Sequence, residues 1–176
     1  ALNRPVVIEH LRLLGETGLV LDTANPNLAL LSAVVRLTDQ VPGLRVVIDH
    51  LPGMPRPADA DAQKMLDSLL TRLSERPQVY IKISQVLRAV NGPASRDVAA
   101  HRARLDLIVE RFGIDRVIYG SDWPNSEPDA SYDEVLGLVR TYFRNQSYEA
   151  AEKYFWRNSL AAYRWTPREP GQPKAQ

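Results

Sequence analysis

The 176-residue sequence contains no cysteine. That excludes disulfides and any zinc or iron–sulfur centre held by thiolates, and it fits a cytoplasmic protein, the location expected here. No apolar run approaches the ~20 residues needed to span a bilayer as a helix. Neither sign of charge dominates: 22 Lys and Arg face 21 Asp and Glu, for a net charge of +1. With the basic residues scattered, neither a nucleic acid nor an anionic membrane is expected as a partner. No strand-like segment is followed by G-x-G-x-x-G or G-x-x-x-x-G-K-[ST], which argues against a nucleotide cofactor. The nucleophile-elbow pattern G-x-S-x-G is missing as well.

What is present is ordinary in bulk and ordered in detail. Hydrophobic residues make up 44% and charged residues 24%, typical of one globular domain of this length. Val7, Leu11 and Leu14 fall at helical spacing ahead of Gly15, a plausible helix stop. Short β-branched runs then alternate with amphipathic stretches. The strands are expected at 19–23, 44–50, 79–84 and around Ile118. Helices are expected between them, with Met65, Leu69, Leu70 and Leu73 lining one and Leu105, Ile108, Val109 and Phe112 another. Asn25-Pro26 reads as a helix start, and Ser131-Tyr132-Asp133-Glu134 as a capping box. A final helix covers Tyr148 to Tyr163, and from Thr166 a Pro- and Gly-containing tail is expected to fray. Strand–helix alternation means parallel strands with helical crossovers. Four such units fit an open doubly wound sheet or half of an eight-stranded barrel.

Three of the strands end in polar residues. The clearest is Arg116-Val117-Ile118-Tyr119-Gly120-Ser121-Asp122-Trp123-Pro124, where a buried strand stops abruptly and leaves Asp122 at its carboxyl end. In open α/β sheets and (β/α)8 barrels, ligands and catalytic residues gather at that end. A turn-forming Asp accounts for the same pattern. Asp49-His50 ends the second strand, and Lys82 and Ser84 share one face of the third, opposite Ile81 and Ile83. With parallel strands these residues lie at one rim, and His50 and Asp122 are expected to converge there. His and Asp at a rim suit a divalent metal, or a base with its orienting partner. A hydrogen-bonded structural histidine is the competing reading of His50. Lys82 needs a partner or a substrate anion if its ammonium is buried. Asp22 ends the first strand and either joins the rim or turns the chain. His10 and His101 are expected on helices, facing solvent.

These segments, together with Arg157-Asn158-Ser159-Leu160-Ala161-Ala162-Tyr163, resemble the C-terminal half of the amidohydrolase-related family of TIM-barrel hydrolases. The branch they are most similar to comprises sugar-lactone and 2-pyrone-4,6-dicarboxylate lactonases. The resemblance spans about residues 4 to 165 and rests on "IDHL", "IKIS" and "GSDWP" in this order. It implies a hydrolase that activates water at a His/Asp site at the C-terminal rim of a (β/α)8 barrel and opens a lactone or related carboxylic ester. It places His50 and Asp122 as catalytic residues and as ligands of a divalent ion, zinc or manganese, while leaving a metal-independent route open. It puts Lys82, Ser84 and Trp123 around a small-molecule substrate and makes Asn158 a structural cap. The same family hosts decarboxylases, so the reaction class stays open.

Three departures stand out. No H-x-H, the family's first-strand motif, occurs here, and "DHLPGMP" and "KISQ" replace "DHLGKP" and "KLSG". A complete barrel takes ~250 residues, so residues 1–165 are expected to form an N-terminally incomplete domain, followed by a tail at 166–176. A non-catalytic half-barrel that needs a partner half is therefore the alternative to the enzyme. On the half-barrel reading, Leu21, Val46, Ile48 and Ile118 are expected on the barrel interior, facing water. Both outer strands are expected to be unpaired, and the chain is expected to be inactive alone and prone to self-association.

Overall fold

A computed structural model describes residues 4–24, 26–51, 56–89 and 92–174. In chain order it comprises α1 (Pro5–Glu16), β1 (Val20–Thr23), α2 (Leu28–Gln40), β2 (Arg45–Ile48), α3 (Ala60–Ser74), β3 (Val79–Ile83), α4 (Ala99–Phe112), β4 (Val117–Tyr119), α5 (Tyr132–Gln146), α6 (Tyr148–Glu152) and α7 (Asn158–Ala162). A π-helical segment, Lys153–Arg157, joins the last two.

The helix ends show local chemistry at work. Glu134 and Ser131 form the expected capping box of α5. The start of α2 differs from expectation: Asn27 is the N-cap and its side chain accepts from the Leu30 N–H at 2.9 Å. Pro26 thus precedes the helix, and Asn25 lies outside the described residues, as do Pro52 to Pro55 and Asn91 of the expected loops. Gly15 does not stop α1, which continues to Glu16. The residue with positive φ is Gly18 (φ 76°), while Gly15 packs against the backbone of Leu44. On α3, Leu66 is buried and Met65 is exposed, one position off the expected stripe.

All strand pairs are parallel and the order is β1-β2-β3-β4. A doubly wound sheet reverses direction at a switch point, whereas a barrel adds strands in sequence order. The unbroken order therefore identifies an arc of a (β/α)8 barrel. Register fixes which side chains share a face. Thr23, Ile48, Ile81 and Val117 stand in one row, and Leu21, Val46 and Val79 in another, all towards the helices. Asp22, Val47, Tyr80, Lys82 and Ile118 stand on the opposite, inner face.

This corrects the expected interior set: Val46 and Ile48 are fully buried against the helical layer, and Leu21 packs against the same core. Ile118 does belong to the inner face, but it is buried there with Val47 beneath Ala162 of α7. The chain thus folds back over its own inner face. Arg45, at the start of β2, donates to the carbonyls of Ala161 and Ala162 at 3.0 and 2.7 Å and holds α7 in place. Asn158 donates to the carbonyls of Ile114 and Val117 at 2.6 and 2.8 Å, covering backbone at the base of β4. Tyr154 stacks on Phe143 and donates to the Ile83 carbonyl at 2.9 Å. No helix among the described residues is long and apolar enough to cross a membrane.

Candidate active site

The carboxyl ends of β2, β3 and β4 each lead into a non-glycine residue with left-handed backbone: His50 (φ 66°), Gln85 (φ 56°) and Asp122 (φ 56°). L-residues avoid this region at a cost on the order of 1 kcal/mol or more, so such outliers persist where the surroundings enforce them and cluster at functional sites. Here they mark the rim that the sequence indicated, with one addition. Gln85 is that addition: nothing in its sequence neighbours distinguishes it from a loop residue.

His50 and Asp122 follow strands separated by β3, so roughly two strand spacings, about 10 Å, lie between their chains. Each has its own surroundings. Ser84 Oγ lies 2.9 Å from His50 Nδ1 and accepts from the His50 backbone N–H at 3.1 Å. Ser84 is buried and so fixes both the ring and the turn that carries it. Asp122 lines a pocket of about 160 Å³ with Gln85, Arg88, Asn125, Ser126 and Asp129 among its walls. Arg88 donates to Gln85 Oε1 at 3.1 Å, and Ser126 Oγ to the Ser121 carbonyl at 3.3 Å. Trp123 is 57% exposed and is not part of that lining.

Gly120 explains why the rim can pack this tightly. A Cβ at this position would stand 2.8 Å from Cγ and Cδ of Lys82 and 3.0 Å from Cβ of Ser84. The aliphatic stem of Lys82 therefore crosses the glycine directly. Its ammonium has found protein partners: Asp49 Oδ1 at 2.6 Å and Asp22 Oδ1 at 3.6 Å. The contact with Asp49 is ionic, and its angle leaves that buried oxygen without a directed hydrogen bond. Burial pulls the lysine pKa down, but Asp49, Tyr163 and Asp22 outweigh it, and the net shift is upward. Tyr163 donates to both Asp22 oxygens, at 3.0 and 3.1 Å, and burial raises its pKa to about 12. Asp22, Asp49, Lys82 and Tyr163 thus form a polar floor beneath the rim, and Lys82 stays charged within it.

Histidine 101 departs from expectation. It is 6% exposed, with Nε2 2.6 Å from the Ser95 carbonyl and Nδ1 against Arg104, whose guanidinium also donates to the Val86 carbonyl. It braces the segment that follows β3 and does not face solvent.

A catalytic zinc site uses three protein ligands. Among the described residues, no group of three or more His, Asp or Glu side chains is gathered for a metal. The floor carboxylates Asp22 and Asp49 already face an ammonium. The donors among the described residues do not by themselves fit a complete metal cage.

The amidohydrolase sequence pattern matches residues 4–165. An L-fucono-1,5-lactonase of Burkholderia multivorans is 30% identical over 123 residues, covering 66% of this chain and 41% of that protein. A zinc-bound amidohydrolase structure, also from Burkholderia multivorans, superposes with a TM-score of 0.78 at 25% identity, covering 94% of this chain and 59% of that one. A Pseudomonas putida structure described as a 2-pyrone-4,6-dicarboxylic acid hydrolase gives 0.68 at 26% identity, covering 87% and 54%. The chain therefore spans between two fifths and three fifths of these relatives. With four parallel βα units in barrel order, and the family pattern running through nearly all of them, the chain belongs to the amidohydrolase family.

Proposed function

We propose that the protein is a hydrolase that opens a lactone or related carboxylic ester, with Asp122 as the base that activates water. The observation that carries this is the left-handed Asp122 at the end of β4, lining a pocket at the C-terminal rim. Lactonase relatives support the substrate class. Water attacks the carbonyl carbon and passes one proton to Asp122 as the new C–O bond forms. The ring C–O bond then breaks, and its oxygen recovers the proton from Asp122, leaving an open hydroxy acid.

His50 lies outside the lining of the Asp122 pocket, and in this scheme it polarises the carbonyl of a substrate that reaches from that pocket towards the end of β2. Ser84 Oγ already accepts from the His50 backbone, so its own proton is free to go to Nδ1. The imidazole hydrogen then sits on Nε2, where it can donate to a carbonyl oxygen that is gaining charge. Zinc or manganese, where a complete ligand set supplies one, would add Lewis-acid polarisation of the same carbonyl. The described residues do not complete that set. The alternative of a half-barrel that works only with a second half draws its support from the share of each relative covered.

Asp122→Asn is the direct test, because Asn tolerates left-handed backbone and the fold is retained. Hydrolysis of a panel of aldonolactones should fall roughly 10²–10⁴-fold in kcat with little change in KM. It should be measured on this chain and on any longer product of its reading frame. Unchanged turnover in the variant removes Asp122 from the chemistry.

A further inference from the structure

The rim contains one strained residue with no part in the proposed chemistry. Gln85 occupies the left-handed region at φ 56°, immediately after Ser84 and between the strand ends that carry His50 and Asp122. Glycine would take this conformation without penalty. The amide that stands there instead lines the same pocket as Asp122. Its Oε1 is committed to Arg88 at 3.1 Å, since a guanidinium can only donate. The Nε2 hydrogens therefore remain for a ligand.

The rest of the lining indicates which ligand. Asp122 and Asp129 contribute two carboxylates against the single guanidinium of Arg88, and Asn125 adds a second amide. A surface of this kind offers acceptors to hydroxyl hydrogens and amide donors to hydroxyl oxygens. It opposes a ligand that carries two carboxylates of its own. The pocket, about 160 Å³, has room for one small ring.

We propose that Gln85 is a specificity-determining residue, and that its amide donates to a ring hydroxyl of a neutral polyhydroxy lactone held in the Asp122 pocket. This rests on the reading of Asp122 as the centre of a lactone site.

The test is binding to the 176-residue chain, followed by ligand-observed NMR and titration calorimetry. One probe is D-galactono-1,4-lactone and the other is pyridine-2,4-dicarboxylate, a planar dianion. Wild-type protein should bind the lactone at least roughly tenfold more tightly than the dianion. Gln85→Gly should weaken the lactone by about tenfold, the worth of one good hydrogen bond to a polar ligand, and leave the dianion unchanged. Gln85→Glu, which exchanges the donor for a further carboxylate, should weaken both. Gln85→Gly also relieves the left-handed backbone, so its melting temperature should not fall, which separates lost recognition from lost fold. Equal lactone binding by wild type and Gln85→Gly, or a preference for the dianion, overturns the assignment of Gln85 while leaving Asp122 as proposed. Binding of neither probe to any form overturns the lactone-site reading and this inference with it.

Discussion

His101 carries its protonation state in its contacts. Nε2–H donates to the Ser95 carbonyl and Nδ1 accepts from Arg104, which together specify a neutral ring. Burial holds its pKa below the usual 6.5, aided by the Arg104 charge and opposed by Ser95 and Asp97. The unfolded chain therefore binds this proton more readily than the folded one. The stabilising difference is fully present above pH 6.5 and is lost as the pH falls from there through the depressed folded value. Thermal melts should show a falling midpoint across that window, and His101→Gln should flatten it. A wild-type midpoint independent of pH between 7 and 5 would contradict the assignment. The histidine spacing gave no hint of this role, because Ser95, which accepts from the ring, comes from the segment leading out of β3, and Arg104 of the same helix is held against the ring by its bond to the Val86 carbonyl of that segment. Lys82 was legible only in part. An ammonium inside an apolar strand must find a partner, but its identity, Asp49, depends on the register of two strands. Gln85 was illegible, because the backbone conformation that singles it out leaves no mark on the sequence.

At the scale of elements, hydrophobic periodicity located all four strands, and the side-chain chemistry of caps located several helix starts. Parallel alternation was legible because each amphipathic stretch has a strand on either side. The facing of β2 was not, because Val46 and Ile48 on one side and Val47 on the other are all apolar, and period-2 alternation is weak in a strand covered on both faces. The chain's return over the inner face also escaped, since it depends on Arg45 reaching carbonyls 116 and 117 residues away. Gly120 is where element and site meet, and Gly120→Ala is the informative change. Its methyl would collide with the middle of the Lys82 stem and with Ser84, neither of which is a free end. A loss of about 1–3 kcal/mol is expected from overpacking, visible as a lower midpoint in urea. Because Ser84 orients His50, the His50 imidazole resonances should shift in the same variant. A variant as stable as wild type, with those resonances unmoved, would mean that the rim is looser than its contacts imply.

On the scale of the whole molecule, the two outer strands are unequal. The flank of β4 lies against the π segment and α7, whereas β1 has β2 on one side and no strand among the described residues on the other. Leu19 is 59% exposed at the entry to β1, and Val6 and Leu13 of α1 are exposed as well. An open edge beside apolar side chains favours association. Light scattering behind a sizing column should therefore show concentration-dependent growth in mass, and Leu19→Lys should reduce it. A wild-type chain that stays monomeric up to high concentration would mean that the β1 flank is protected after all. The unbroken strand order has a further consequence, for the timing of assembly. Each strand pairs with the one made just before it, so the sheet can grow behind the ribosome one βα unit at a time, with short loops to close. The contact between Tyr163 and Asp22 bridges 141 residues and needs the residue that caps α7. Until Tyr163 emerges, the polar floor lacks one of its members and Val47 and Ile118 lack the cover of Ala162, so the docking of α7 comes after the four strands have paired.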